Sequence, residues 1–172
     1  NKKDKSLFLR NNHIQGDSGS SVDIGLYYND ELVSLMSFSK LRKNMGLKNK
    51  DGHYELIRFC NKINTNIIGA ASKLLNYFVK NYHFEKVISY SDIRIFNGDM
   101  YEKLNFKFKS VSKPNYWYVI GDKRHYRFNF KKSNLVKNGF DPNKTEKQIM
   151  FERKIYRIYD CGNIRWELSI DK

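Results

Sequence analysis

Cysteine is nearly absent from this chain of 172 residues: it has Cys60 and Cys161, far apart in sequence. Two such residues exclude a disulfide framework and a four-cysteine zinc site, and make a reducing compartment, the cytoplasm, the expectation. Histidine is scarce too, and His13, His53, His83 and His125 show no ligand spacing within one element, so no metal site is expected. Long apolar runs are missing. The stretch from Ile67 to Val79 is broken by Ser72, Lys73 and Asn76, so no membrane partner is expected. No signal-peptide pattern, internal repeat or low-complexity tract occurs. Acidic residues are few, 18 against 32 Lys and Arg, for a net charge of +14. That excess says nothing about fold, but it points to a polyanion as partner, DNA first. The first residue is Asn1 rather than Met, from which a fragment with another domain before it is expected.

What is present suffices for one domain with a real core, since 40% of residues are apolar. Residues 4–12 read as a short basic helix with Leu7 and Phe8 inward. Val22, Ile24 and Leu26 alternate with Asp23, Gly25 and Tyr27, the period of a half-buried strand. Asn29-Asp30 is two-residue hairpin chemistry, which returns the chain as a strand over 31–39. A loop rich in Lys, Asn and Gly spans 40–51, and a third strand runs over 54–60. Ile67, Ile68, Ala71, Leu74, Leu75, Phe78 and Val79 recur at helical spacing, with Thr65 or Asn66 as cap. A strand over 86–90 follows, and a strand–helix–strand run of this length implies a parallel, right-handed crossover. A short helix is expected over 97–104, an antiparallel pair over 106–111 and 116–120, helices over 131–137 and 145–154, and a final hairpin of 155–159 with 164–170. The fold class is α/β (α+β), a mixed twisted sheet flanked by helices. Residues 1–139 form the main domain, and 140–172 a small helix–hairpin extension packed on the same unit.

Two places carry chemistry. A helix start offers free N–H groups and a positive dipole end, and small residues there keep side chains clear of an anion. Asn66, Ile68, Gly69, Ala70, Ala71 and Ser72 fit that description, although small residues also let a helix pack close to a sheet. Asp92 lies just past a strand end, where α/β proteins commonly place ligands. Partly desolvated, it can take a proton from an amine; otherwise it caps a helix. Tyr101, early in the next helix, can protonate a leaving thiolate or simply sit at the core's edge. Glu55 and Arg58 stand at an odd offset on the third strand and so on opposite faces. His13, before Gln15 in a polar turn, either enters a site or caps a helix.

Between Tyr101 and Lys137 ten basic residues face only Glu102 and Asp122, with Tyr116, Trp117, Tyr118, Tyr126, Phe128 and Phe130 interleaved. Cations hold phosphates and exposed rings stack on unpaired bases, so Lys107, Lys109, Lys123, Arg124, Arg127, Lys131 and Lys132 are candidate nucleic-acid contacts, with Lys40, Arg42 and Lys43 in a second cluster. The competing reading is a solvated face around an ordinary aromatic core.

Residues 54–108 resemble the GNAT acyltransferase fold. Asn66-x-x-Gly69-x-Ala71 is similar to that family's acyl-CoA pyrophosphate turn, with Asn in place of the usual Gln or Arg. Tyr101-Glu102-Lys103-Leu104-Asn105-Phe106 resembles its Tyr-Glu-Lys-Leu-Gly-Phe segment, with Asn105 for Gly. The resemblance implies acetyl-CoA or a related acyl-CoA as cofactor and Tyr101 as the acid. Within that superfamily, Glu55-Leu56-Ile57-Arg58 with Ser89-Tyr90-Ser91-Asp92 is similar to Mom-type DNA modification proteins of phages, which would make Arg58 and Asp92 site residues. The span from His13-Ile14-Gln15-Gly16 to Ile158-Tyr159-Asp160-Cys161-Gly162-Asn163 resembles the C-terminal region of phage homing-endonuclease-like proteins, which implies a separate nuclease domain attached ahead of Asn1. The leading expectation is therefore a DNA-directed transferase acting on a base amino group. A non-catalytic DNA-binding domain and an N-acetyltransferase for a protein or small amine are the alternatives.

Overall fold

A computed structural model describes residues 1–41 and 50–170. Its contacts divide the chain into two compact units, one of Asn1–Ser91, Ile95–Ser110 and the residues from Ile164 onward, the other of Asp92–Arg94 and Val111–Asn163. These boundaries differ from the expected division at 139/140.

The first unit carries a six-stranded sheet in the order β1-β2-β3-β4-β9-β5. Its strands are β1 (Val22–Tyr28), β2 (Glu31–Lys40), β3 (His53–Asn61), β4 (Lys86–Asp92), β5 (Lys107–Val111) and β9 (Asn163–Ser169). β1 and β2 form the expected hairpin, and Asn29 and Asp30 take the positive φ values, 47° and 60°, that such a turn needs. β3 runs parallel to β4 across the helix α2 (Ala70–Asn81). One face of the sheet holds Ile24, Met36, Phe38, Leu56 and Val87 against Leu74, Leu75 and Phe78 of α2, with Leu104, Phe106 and Trp166 in the same cluster. Phe78 lies at its centre, stacked on Phe38 at 3.8 Å and edge-on to Tyr54. The opposite face is covered by α1 (Lys2–Asn12), whose Phe8 and Leu9 pack on Leu35. Leu7, expected inward, is 63% exposed, because the stripe of α1 that meets the sheet is Lys5, Phe8 and Leu9.

A bulge in β3 alters which side chains share a face. Ser37 pairs with Arg58 but Phe38 with Leu56, so Ile57 is an extra residue. Leu56 and Phe59 thereby both reach the α2 side, despite their odd spacing. By the same alternation Glu55 and Arg58 fall together on the α1 side, which corrects the expectation that they oppose each other.

The second unit has a three-stranded antiparallel sheet, β7-β6-β8, made of β6 (Tyr116–Ile120), β7 (Lys123–Tyr126) and β8 (Tyr156–Tyr159). Two short helices, α4 (Lys132–Lys137) and α5 (Glu146–Glu152), supply Leu135, Ile149 and Met150 to a small core around Tyr118. Thr145 caps α5 through a reciprocal box with Gln148. The Tyr116 and Tyr118 hydroxyls donate to Glu146 Oε1, both at 2.8 Å, and Arg157 Nε donates to Tyr118. Burial, with the Glu146 bond adding to it against the pull of Arg157, pushes the Tyr118 phenol up to about 12.

Two expected pairings are absent. β5 and β6 lie in different sheets, as do β8 and β9. Instead β6 pairs with β8 while β5 sits beside β9. Where the chain passes between these pairs, Ser112 N–H donates to Asn163 O at 2.9 Å and Asp160 N–H donates to Asn115 O at 3.0 Å. The Lys113-Pro114 and Cys161-Gly162 turns are thus neighbouring connections, not hairpin tips.

Candidate active site

The parallel ladder of β3 and β4 covers three Cα pairs among the described residues, His53–Lys86, Tyr54–Val87 and Glu55–Ile88. Beyond them a side chain takes over: Ser89 Oγ donates to the Leu56 carbonyl at 2.8 Å. Ser89 has one proton, so the 2.8 Å contact between Ser89 Oγ and the Tyr101 hydroxyl is donated by Tyr101. The relay Tyr101–Ser89–Leu56 therefore closes the sheet where its backbone bonds stop. Tyr101 reaches it from α3 (Asp99–Lys103). Its ring stacks on Trp166 of β9 at 5.5 Å, and Trp166 Nε1 donates to Ser91 Oγ at 2.9 Å. Burial, opposed by the Ser89 bond and reinforced by the Glu55 charge, raises the phenol above its ordinary value, so Tyr101 stays protonated at neutral pH.

Gly98, the N-cap of α3, has φ 101°, and a Cβ there would overlap the Trp166 ring. Gly98 and Trp166 are residues sequence reasoning did not bring to this site, and it reads Ser89 and Ser91 only as hydroxyls beside Asp92, without their bonds to Tyr101 and Trp166. The readable signal was the Ser-x-Ser alternation on β4, which puts both hydroxyls on one face.

The start of α2 lies later than expected. Its N-cap is Gly69, in a left-handed conformation at φ 75°, and neither Thr65 nor Asn66 caps it. Ile68, expected on the apolar face, is 92% exposed. Asn66, Gly69 and Ser72 are exposed, Ala70 is buried and Ala71 packs on the core. Ala70 and Ala71 thus bring the helix onto the sheet, while Gly69 and Ser72 remain open. A Cβ built at Gly69 meets nothing within 4 Å.

Arg58 faces the end of α1. Its Nε donates to the Gly16 carbonyl at 2.9 Å and its Nη1 to the Ile57 carbonyl at 2.7 Å. His13, the C-cap of α1, accepts from the Gln15 N–H at Nδ1. Burial and the nearby Arg58 charge lower its pKa to about 4, so the ring is neutral at physiological pH.

Asp92 groups with the second unit, where its carboxylate is forked by Arg94: Oδ2 accepts from Nη2 at 2.5 Å, and Oδ1 accepts from Nε and the backbone N–H at 3.0 Å. The Arg94 bond outweighs partial burial and holds the carboxyl below its usual range, which weakens it as a proton acceptor.

The basic candidates are dispersed. Lys40 ends β2, and Lys107 and Lys109 lie on β5. Lys123, Arg124, Arg127, Lys131 and Lys132 belong to the second unit. Arg42 and Lys43 lie outside the described residues. Among the described residues, no cluster of three His, Cys, Asp or Glu comes together, and no helix is long and apolar enough to cross a membrane.

No protein-family model and no curated protein matches the sequence. Solved structures do. The ribosomal-protein-S18-alanine N-acetyltransferase from Escherichia coli superposes with a TM-score of 0.57 at 10% identity, over 99% of this chain and 88% of its own. This chain has the GNAT fold. A protein of Desulfovibrio desulfuricans assigned to the GNAT acetyltransferases matches at TM-score 0.50 and 12% identity, over 87% of this chain and 68% of its own. A GNAT acetyltransferase from Elizabethkingia anophelis, solved with acetyl-CoA bound, gives 0.46 at 13% identity, over 84% and 72%. The GNAT fold confirms the architecture that residues 54–108 implied.

Proposed function

We propose that the chain is an acyl-CoA-dependent N-acyltransferase whose acceptor is an amine of a protein or small molecule. The observation that carries this reading is the parting of β3 and β4 at the Tyr101–Ser89–Leu56 relay, in a GNAT fold whose intervening helix opens on a left-handed glycine. The E. coli neighbour is named for acetylating an alanine of a ribosomal protein, which favours a protein or amine acceptor over a DNA base. In the DNA-directed version Asp92 deprotonates the base amine, but Arg94 already holds that carboxylate.

The residues present fit the cofactor. Ala70 N–H already donates to the Ile67 carbonyl at 3.2 Å, so it is the N–H groups after it in the first turn of α2, beside the open space at Gly69 and the exposed Ser72, that would hold a pyrophosphate. When bound, an acyl-CoA supplies an activated thioester carbonyl. Tyr101 keeps its proton at neutral pH, and rotating that O–H away from Ser89 makes it deliverable to a leaving sulfur. Ser89 retains its bond to Leu56, so the strands stay fixed while the phenol turns.

Thermal melting with acetyl-CoA tests the reading. Ligand at 100 times its dissociation constant stabilises by about 2.7 kcal/mol. Acetyl transfer to a panel of peptides and polyamines, followed by mass spectrometry, then identifies the acceptor, and Tyr101→Phe should keep the melting shift while lowering turnover tenfold or more. Absence of both shift and transfer refutes the proposal.

A further inference from the structure

The aromatic residues of the second unit split by strand alternation. Tyr116 and Tyr118 of β6, His125 of β7 and Arg157 of β8 point to its core, where Arg157 lies over the Tyr116 and Tyr118 rings. The alternate positions form the other face. In register they make two rows across the sheet, Tyr126–Trp117–Ile158 and Arg124–Val119–Tyr156. None of these six is acidic. Tyr126 is 47% exposed, Tyr156 57% and Ile158 45%, and Arg124 is exposed, with Trp117 and Val119 half-buried between them.

Cations are placed on its rings. Arg124 lies over Trp117 at 5.6 Å, and Lys131 lies over Phe128 at 4.3 Å, with the Phe128 ring 5.0 Å from Tyr126. The whole unit holds thirteen Lys or Arg against six Asp or Glu. Neighbouring strands stand about 4.8 Å apart, and same-face residues along a strand about 6.7 Å. Successive unstacked bases can occupy rings at such intervals while the cations hold the phosphates. Duplex DNA hides its base faces and offers such a surface only its backbone.

We propose that this outer face of β7-β6-β8 binds an unpaired strand of nucleic acid, with Trp117 and Tyr126 as stacking platforms and Arg124 and Lys131 as phosphate contacts. This goes beyond the N-acyl transfer reading and does not depend on it. The chemistry that singles out this partner is the combination of flat rings, interleaved cations and no acid.

The test is fluorescence anisotropy with a labelled fifteen-nucleotide oligo-dT and with a duplex of equal length, using the full chain. Binding to the single strand should be at least tenfold tighter than to the duplex, and should weaken steeply between low and physiological salt. The double variant Trp117→Ala/Tyr126→Ala should lose tenfold or more in affinity. Trp117→Phe keeps a ring and should bind within threefold of the parent. It should also lose the tryptophan quenching that binding causes in the parent, since the remaining Trp166 is only 2% exposed. Near-UV circular dichroism confirms that the variants are folded. Equal or tighter binding to the duplex, no binding at all, or unchanged affinity in the double variant overturns the proposal. So does concentration-dependent self-association abolished by the double variant without any oligonucleotide binding, which would assign the face to a second copy of the chain.

Discussion

The centres of the two sheets use aromatic residues differently. The six-stranded sheet packs α2 on one face and α1 on the other. Although Tyr27, Tyr28 and Phe108 of its outer strands are exposed, its central rings serve cohesion: Phe38 and Phe78 are fully buried and stacked, and Trp166 closes over Gly98 and Tyr101. The three-stranded sheet packs Leu135 of α4 and Ile149 and Met150 of α5 on one face. Its inner rings make the Tyr116–Tyr118–Glu146–Arg157 network, while Tyr126 and Tyr156 stay at the surface. Burial thus separates rings that hold a fold from rings available to a partner, a difference that composition does not show.

Removing rings breaks or sharpens this contrast. Phe78→Ala should destabilise by about 3–5 kcal/mol, read as a shift in urea midpoint, because several rings pack on that position. Gly98→Ala should cost about 2–4 kcal/mol by the same measurement, since it strains a backbone at φ 101° and forces a methyl into Trp166. A smaller effect follows from His13. Its folded pKa, about 4, lies below the ordinary imidazole value of 6.5, so the unfolded chain binds the extra proton first. The contribution is complete above pH 6.5 and is lost as pH falls toward 4. It amounts to order 1 kcal/mol for a half-buried ring in contact with solvent. Melting curves across that range should therefore flatten in His13→Gln. Tyr126→Ala, on the open sheet face, should change stability by no more than about 0.5 kcal/mol. A loss there as large as at Phe78 would mean the outer rings are structural after all.

Local patterns announced the elements well. The alternation of Val22, Ile24 and Leu26 with the Asn29-Asp30 turn marked the first hairpin, and the Leu74, Leu75 and Phe78 spacing marked α2. Pairing across sequence was harder to read. The alternation of Ile164, Trp166 and Leu168 signals a strand, yet nothing in it says that its neighbours are β4 and β5 rather than β8. The Ile57 bulge was hidden for a related reason: one extra residue leaves composition unchanged but moves Arg58 to the α1 face. At the site, Tyr101 was legible from its segment. Its bond to Ser89 was not, because nothing in the sequence shows that the chain between β4 and α3 turns the ring back over the strand. Asp92 was read from its place at a strand end, and Arg94 two residues on is what holds its carboxylate.

The chain leaves β5 at Ser112 and re-enters β9 at Asn163, and those two residues are joined by a backbone hydrogen bond of 2.9 Å. The segment between them therefore begins and ends at one place. Two turn-forming residues suffice to join Ser112 to Asn163, so its deletion would need no new long connection between β5 and β9.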